Sequence, residues 1–191
     1  DVFVSKLNSS GSFAWANRIG GPGSDMGFAI TTDPNGNVFV AGLFSDTVDF
    51  DPGPGTFTLA SASSFHLNTF IVKLSPWGSL LWAKCLNYVA AGSVFSIETN
   101  SAGDCFVFGQ FNAATDFDPG PGTHIVTPQS ADTYVLKLSS AGNFVWVRTF
   151  GGANNSVCSG RDMKLDKAGN IYSTGVFMGV VDFDPGTATM N

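Results

Sequence analysis

An internal sequence repeat, present three times, is the feature that most constrains the fold of this 191-residue chain. Each copy contains, in the same order, a short β-type run ending in Lys-Leu, a glycine, a tryptophan, a second β-type run bounded by glycines, and the string Asp-Phe-Asp-Pro-Gly. The tryptophans that mark the period are Trp15, Trp82 and Trp146, which lie 67 and 64 residues apart. The Asp-Phe-Asp-Pro-Gly strings occupy residues 49–53, 116–120 and 182–186. Three motifs in one order predict three copies of one structural unit, with borders at 1–67, 68–131 and 132–191.

Each unit is predicted to hold four short antiparallel strands. The run that begins at Phe3 alternates between two faces, and a glycine-containing turn folds it onto a second strand around Trp15. A second pair of strands follows at residues 28–32 and 37–44, joined by an Asp-Pro-Asn-Gly turn. Residues 79–91 resemble a short helix locally, but their counterparts in the other two copies are rich in β-formers, which predicts a strand there as well.

Four antiparallel strands per unit are typical of a β-propeller blade. The composition agrees, because 23 Gly, 9 Pro and a single Glu indicate a turn-rich β protein, and 18 Phe supply apolar surface for a core. The expected fold is therefore all-β, with three tandem propeller-like blades of about 66 residues. This period exceeds that of common propeller blades, which leaves room for one long excursion carrying the Asp-Phe-Asp-Pro-Gly loop. A β-helix is the weaker alternative, because solenoid coils usually repeat at 20–30 residues.

The charge and hydropathy of the chain argue against two classes of partner. The formal net charge is −6 and no basic run is present, which disfavours binding to nucleic acid or to an anionic membrane surface. No apolar run approaches the length needed to span a bilayer, so we expect no membrane insertion.

The cysteine and histidine content gives little support for a zinc site or for a disulfide-based scaffold. The three cysteines form no Cys-x-x-Cys pair, and only two histidines, His66 and His124, are available as further ligands. We expect Cys85, Cys105 and Cys158 to be small buried apolar side chains. One bridge, between Cys85 and Cys105, is the alternative.

The repeated strings resemble the SBBP-type β-propeller repeat of bacterial secreted and surface proteins. The resemblance rests on the Lys-Leu…Gly…Trp hairpin, the Gly-Asn-Val-Phe-Val-Ala-Gly strand and the Asp-Phe-Asp-Pro-Gly-Pro-Gly-Thr string. The third copy departs from this pattern, since Gly186 runs directly into Thr187 without the second Pro-Gly. The resemblance implies an extracellular or cell-surface location in a bacterium and a repeat architecture, and it carries over no catalytic site. The chain opens at Asp1 without a leader pattern, so we expect any secretion signal to be absent or already removed.

The first and the last blade of the repeat array are both expected to be incomplete. The chain starts directly on the strand at Phe3, and its last residues, 187–191, correspond to the tail that precedes this strand in the other copies. We therefore expect the C-terminal segment to complete blade 1 of a neighbouring molecule, because exposed strand edges recruit strands. Such a contact gives a ring if the rotation closes and a filament if it does not. The alternative, that the chain is a segment of a longer array and is flanked by further blades, stays open.

The paired aspartates of the repeated string are candidate calcium ligands. In an extended segment both carboxylates project to one face while the phenylalanine between them points to the core. Carboxylates and turn carbonyls are the oxygen ligands that Ca²⁺ prefers. The alternative, that each aspartate accepts backbone N–H bonds and shapes a tight turn, is favoured because two carboxylates are few for a six- to eight-ligand ion. The candidate ligands are Asp49, Asp51, Asp116, Asp118, Asp182 and Asp184.

Among the aromatic residues, Trp77 is the candidate for a binding contact. It replaces Ser10 and Ala141 inside a hairpin turn, where an exposed indole is able to stack on a sugar or contact a protein. Residues that recur at the same place in every copy are interpreted as core packing, with a sugar-stacking platform as the alternative. These are Trp15, Trp82, Trp146, Phe44, Phe111 and Phe177.

The function expected from these patterns is structural or adhesive. An extracellular repeat protein that assembles head to tail, or a segment of a larger propeller, is the first interpretation. A propeller module that binds a surface glycan or a protein is the second, and a hydrolase is the third. Catalysis is not expected, because His66 and His124 lie in the variable connector and are not repeated.

Overall fold

The computed structural model describes residues 1–61, 67–86, 92–153, 156–186 and 190, and all regular secondary structure within these ranges is β. The strands in chain order are β1 (Val2–Leu7), β2 (Phe13–Ile19), β3 (Asp25–Thr32), β4 (Val38–Phe44), β5 (Thr47–Asp49), β6 (Thr58–Ala60), β7 (Asn68–Leu74), β8 (Leu80–Leu86), β9 (Ser93–Thr99), β10 (Cys105–Phe111), β11 (Thr115–Asp116), β12 (Ile125–Val126), β13 (Asp132–Leu138), β14 (Phe144–Phe150), β15 (Val157–Leu165) and β16 (Ile171–Met178). No helix long and apolar enough to cross a membrane is found among the described residues.

The strands form two four-stranded and two two-stranded antiparallel blade sheets. The four-stranded sheets have the orders β3-β4-β7-β8 and β9-β10-β13-β14. The two-stranded sheets are β1-β2 at the beginning of the chain and β15-β16 near its end. Short hairpins, β5-β6 and β11-β12, project from the connections between the second and third strands of the four-stranded sheets. The expectation of an all-β, propeller-like repeat fold is confirmed.

Tight turns ending in glycine close the hairpins of these sheets. In the turn between β3 and β4, Asp33 Oδ1 accepts the backbone N–H groups of Asn35 and Asn37, at 2.9 and 3.0 Å. Gly36, which ends this turn, has φ +78°, a conformation that residues with a Cβ rarely adopt. The stretch predicted as strand at 79–91 is β8 from Leu80 to Leu86, and residues 87–91 lie outside the described residues.

The blades meet along their first strands. β3 packs against β9, and β9 packs against β15. Thr99 Oγ1 donates to the carbonyl of Thr32 at 2.9 Å, and Lys164 forms an ion pair with Glu98. These contacts place β3, β9 and β15 side by side, as the innermost strands of propeller blades lie around the axis.

The core of each four-stranded sheet contains a cluster of three aromatic rings with no exposed surface. The clusters are Phe44, Phe50 and Phe70 in the first sheet, and Phe111, Phe117 and Tyr134 in the second. Within the first cluster the ring centroids are 5.2 to 6.5 Å apart, in edge-to-face or tilted geometries that aromatic pairs prefer. One ring of each cluster is the phenylalanine of the Asp-Phe-Asp-Pro-Gly string, so the excursion is anchored in the core.

The predicted borders at 67/68 and 131/132 do not coincide with the borders of the sheets. Each four-stranded sheet combines the second half of one sequence repeat with the first half of the next, because β4 pairs with β7 and β10 pairs with β13. The hairpin β1-β2 therefore belongs to a different sheet from β3-β4, although both lie in the first repeat. The repeat and the sheet are out of phase because strand pairing joins segments that are separated by the long excursion.

Met190, the described residue of the C-terminal segment, contacts the last Asp-Phe-Asp-Pro-Gly loop of its own chain. Met190 donates its backbone N–H to Asp182 Oδ1 at 2.9 Å, and its carbonyl accepts the N–H of Phe183 at 3.0 Å. Met190 thus binds the Asp-Phe-Asp-Pro-Gly loop of its own repeat, as Phe57 and His124 bind theirs. Residues 187–189 and 191 lie outside the described residues, and the completion of blade 1 of a neighbour by this segment stays a prediction.

The three cysteines are free thiols, so the alternative of a bridge between Cys85 and Cys105 is wrong. Burial raises the pKa of both thiols to about 12. Cys158 is also buried and lies 3.3 Å from the hydroxyl of Thr133. Cys105 and Cys158 match the expectation of small buried side chains, whereas Cys85 is only partly buried.

Candidate functional site

The first aspartate of each repeated string acts as a backbone acceptor. Asp49 Oδ1 accepts the N–H of Asp51 at 3.0 Å and that of Phe57 at 2.9 Å, which closes the loop across eight residues. Asp116 and Asp182 make the same pair of bonds in their own loops.

The second aspartate of each string also binds its own turn. Asp51 Oδ1 accepts the N–H of Gly53 at 2.8 Å, and Asp118 and Asp184 repeat this contact. These bonds support the turn interpretation of the six aspartates. Among the described residues no group of three or more His, Cys, Asp or Glu side chains is arranged around a common point. Calcium binding at these loops stays a prediction.

The tryptophans fall into two groups. Trp77 has 81% of its surface exposed at the tip of the turn between β7 and β8, where the sequence placed it. The repeated tryptophans are half-buried rather than enclosed. The Trp82 ring packs edge-on against Phe39 at 5.8 Å between centroids, and Trp146 packs in the same way against Phe106 at 5.9 Å. Their interpretation as packing residues is therefore correct, although each indole also reaches the surface.

The last sheet has an open edge. β16 pairs with β15 along one side, and in the described part of the chain no strand pairs with its other side. Its counterparts β4 and β10 have partners on both sides. As a result Phe177 on β16 is 59% exposed, whereas its counterparts Phe44 and Phe111 are fully buried.

An incomplete aromatic cluster lies beside this open edge. Phe177 and Phe183 meet edge-to-face at 5.3 Å, as the first two rings of the complete clusters do. In the complete sheets the third ring stands opposite a glycine: Gly42 pairs with Phe70, and Gly109 pairs with Tyr134. At the third counterpart, Gly175, the three heavy atoms nearest to the Cβ position all belong to the backbone of β15.

We refer to Gly175, Phe177 and Phe183 as the aromatic socket. They line a groove of about 480 Å³, which is also lined by Phe108 and Phe150. The residue that matches Phe70 and Tyr134 in the sequence repeat is Phe3, which is 81% exposed on β1. Sequence reasoning placed Phe3 on an alternating strand and missed the socket, although the alignment of Phe3 with two core rings contained the signal.

Carboxylates and lysines form ion pairs at the ends of the complete sheets. Lys73 Nζ lies 3.4 Å from Asp33 Oδ2, and Lys137 Nζ lies 2.9 Å from Asp104 Oδ2. Burial disfavours ionisation of Asp33, but hydrogen bonds from Asn37 and the charge of Lys73 outweigh it, so the pKa of this carboxyl is lowered. At Asp104 burial is likewise outweighed, here by Lys137, and the pKa is lowered.

A second concave surface lies where three strand-connecting turns meet. It has a volume of about 600 Å³ and is lined by residues at the ends of β3, β9 and β15 and in the turns that follow them, among them Asp33, Glu98 and Asp166. His124 does not join these carboxylates as part of a catalytic group, because its ring packs on Phe144 with 4.7 Å between the ring centroids. His66 lies outside the described residues.

Residues 14–43 match the SBBP β-propeller repeat, which confirms the resemblance found in the repeated strings. The chain is also 25% identical, over 91% of its length, to an uncharacterized WD repeat-containing protein of Acanthamoeba polyphaga mimivirus. It spans 14% of the length of that protein. Both findings agree with a propeller-like repeat module.

Proposed function

We propose that this chain is a structural propeller module that joins modules of the same kind strand to strand. In the proposed contact, the open edge of β16 takes up the β1-β2 hairpin of a second copy. The proposal is supported by the two internal examples, β4-β7 and β10-β13, which pair antiparallel in the same register. Applied to β16, this register sets Ile171 opposite Leu7 and Gly175 opposite Phe3 of the second copy.

The incomplete aromatic cluster is the observation that carries the proposal. With Phe3 opposite Gly175, its ring enters the socket beside Phe177 and Phe183 and restores the three-ring arrangement of the other sheets. This one contact removes both the aromatic socket and the Phe3 side chain from water, and the burial of apolar surface is favourable. Lys6, the counterpart of Lys73, then comes to the turn that contains Asp166, the counterpart of Asp33.

Two copies joined head to tail in this way form a ring of about six blades, within the four to eight blades of typical propellers. A closed ring uses both open ends of each copy, so its mass is about 40 kDa, twice that of one chain. A filament results only if the rotation per copy fails to close. An extracellular location in a bacterium, as the sequence resemblance implies, and the absence of catalysis belong to the same proposal.

A longer array is the second candidate arrangement, favoured by the relative that is several times longer than this chain. There the hairpin that covers β16 comes from the next repeat of the same polypeptide. A second candidate function, binding of a surface glycan or protein, rests on the exposure of Trp77. A glycan array tests it, with Trp77→Ala expected to remove any signal.

The assembly is tested by the mass of this 191-residue chain in solution. Sedimentation equilibrium is expected to show a particle of about 40 kDa that dissociates on dilution. Phe3→Ala is expected to weaken association at least about 100-fold, because a buried phenylalanine is lost from the contact. Trp77→Ala is the matched control, since Trp77 is as exposed as Phe3 but lies outside the contact. A wild-type chain that stays at 20 kDa at every concentration contradicts the proposal.

A further inference from the structure

A lysine and a tryptophan of one blade bind the same carbonyl in the next blade. Lys6 Nζ and Trp15 Nε1 both donate to the carbonyl of Pro76, each at 3.0 Å. One repeat later, Lys73 Nζ and Trp82 Nε1 both donate to the carbonyl of Ser140, at 3.2 and 3.1 Å. We refer to such a lysine and tryptophan as a donor pair. The donor pairs fasten consecutive blades to one another.

The acceptor is the second residue of a four-residue turn that ends in glycine. In the turn from Ser75 to Gly78, the Gly78 N–H donates to the Ser75 carbonyl, which leaves the Pro76 carbonyl directed outward. The glycine is required for two reasons. Its φ is +87°, and a Cβ at this position would clash with Asn17 Nδ2 and would stand 3.3 Å from the Trp15 ring. The turn from Ser139 to Gly142 has the same form, with the Trp82 ring 3.1 Å from the Cβ position of Gly142.

A third donor pair, Lys137 and Trp146, is built in the same way. Lys137 is held by Asp104 and lies over the Phe106 ring, as Lys73 is held by Asp33 and lies over Phe39. Trp146 packs against the same Phe106 ring. Among the described residues, however, no carbonyl accepts a hydrogen bond from Trp146 Nε1 or from Lys137 Nζ.

A third turn of the acceptor type is also present. It runs from Asn8 to Gly11, where the Gly11 N–H donates to the Asn8 carbonyl and Gly11 has φ +80°. No atom lies within 4 Å of the Cβ position of Gly11, so the surface that meets a tryptophan ring in the other two turns is open here. Ser9 occupies the position of Pro76 and Ser140.

We infer that Lys137 and Trp146 form a binding site for a glycine-ended β-turn, and that its ligand is the Ser9 carbonyl of a second copy. The inference rests on the proposed assembly and adds a contact to it. If β1 of the second copy pairs with β16, the turn that follows β1 stands beside β13-β14, as the turn of β7-β8 stands beside β1-β2. The strand contact and the turn contact are then made by one hairpin.

The test separates the N–H donor from the packing of the ring. Trp146→Phe retains an aromatic ring on Phe106 and removes the indole donor. Trp146→Phe removes one hydrogen bond from each contact between copies. For each such bond lost, the dissociation constant is expected to rise about threefold to tenfold. The melting temperature of the dilute monomer is expected to be unchanged. Trp82→Phe is the matched control: it breaks a donor pair inside the chain, so it is expected to lower the monomer melting temperature and to leave the dissociation constant unchanged.

Indole N–H exchange measured by NMR gives a second, independent result. The Trp15 and Trp82 indole protons are expected to be protected at all protein concentrations, and the Trp146 proton is expected to be protected only in the assembly.

The possible results distinguish the turn site from the strand contact. If Trp146→Phe dissociates like the wild-type chain while Phe3→Ala weakens the assembly, the turn site is wrong and the strand contact stands. If Trp146→Phe weakens the assembly and Phe3→Ala does not, the strand contact is wrong and the turn site stands. A chain that remains monomeric overturns both.

Discussion

The second four-stranded sheet and the last two-stranded sheet carry the same sequence motifs, yet their aromatic residues have different surroundings. Phe111 and Phe117 are fully buried, whereas Phe177 and Phe183 are 59% and 43% exposed. The ring pairs have nearly the same geometry, with centroids 5.2 and 5.3 Å apart. The difference is Tyr134, which reaches the first pair from β13. Local sequence therefore sets the ring pair, and the neighbouring strand sets its burial.

The largest expected difference is in the stability of variants at the third ring. Phe70→Ala is expected to lower the free energy of unfolding by about 3–5 kcal/mol, because it removes a ring from a closed core. Phe3→Ala, at the matching position, is expected to leave it unchanged in dilute monomer, because Phe3 has little to contact there. Urea unfolding below the association concentration measures both. An equal loss in the free energy of unfolding for Phe70→Ala and Phe3→Ala would contradict the difference between the covered and the uncovered ring.

Variants at the loop aspartates are expected to show a smaller difference in the free energy of unfolding. Asp116→Ala is expected to lower the free energy of unfolding by about 1–3 kcal/mol, since two backbone N–H groups lose their acceptor. Asp182→Ala is expected to have a smaller effect, because its loop is anchored by the half-exposed Phe183. Asp116→Asn retains an acceptor oxygen and serves as the control. The same thermal melts with Ca²⁺ or EGTA examine the metal prediction: a melting temperature that responds to neither agrees with the turn interpretation, and a rise with Ca²⁺ supports the metal.

The smallest expected effect is the pH dependence at the start of β13. Asp132 is buried, its Oδ2 accepts from Gln129, and its Oδ1 has no hydrogen-bond partner among the described residues, so desolvation raises the pKa of its carboxyl. A raised pKa in the folded state means that this residue's favourable contribution is present at low pH and is lost as the pH rises through that pKa.

Asp132→Asn is accordingly expected to be more stable than the wild-type chain at pH 7, and the difference is expected to vanish below the ordinary pKa of an aspartate, 3.8. The counterpart Asp1 is partly exposed and paired with Arg18, so Asp1→Asn is expected to show no such gain. Chemical denaturation between pH 3 and pH 7 measures this. A gain that persists at pH 3 is the contradicting result.

The sequence was sufficient for those features that depend on residues close together in the chain. The repeat, the glycine-ended turns, the strands and the buried phenylalanines of the Asp-Phe-Asp-Pro-Gly strings all follow from local patterns. The offset between the borders of the sequence repeats and those of the sheets was not predicted, because β4 pairs with β7 across a long excursion of the chain. The fold-back of Met190 was missed for a related reason: its acceptor, Asp182, was interpreted as a metal ligand or as a turn residue, and not as an anchor for the tail.

The socket and the donor pairs required the structure. Phe3 and Phe70 have the same local sequence, and only the arrangement of strands shows that one is covered and the other is not. In the same way, Lys73 and Trp82 meet one carbonyl although that carbonyl belongs to a turn about 60 residues away. Repeated tryptophans at a fixed period indicate packing, but their N–H partner is not visible in a pattern of residue types.

The register of the contact between copies is tested most directly by an engineered disulfide. The proposed pairing sets Ser5 of one copy opposite Ser173 of another, as Val72 is opposite Val40 and Leu136 is opposite Val107. Directly opposed residues in antiparallel strands have Cα separations that suit a disulfide, and both serines are exposed in one chain. Under mild oxidation, Ser5→Cys with Ser173→Cys is expected to give a covalent dimer on non-reducing gels. In the control, Ser5→Cys with Thr174→Cys, the second thiol points to the opposite face of the sheet. This variant is expected to run as a single chain, without a cross-link, on the same gels. A monomer from the first variant, or equal cross-linking by both, contradicts the strand contact.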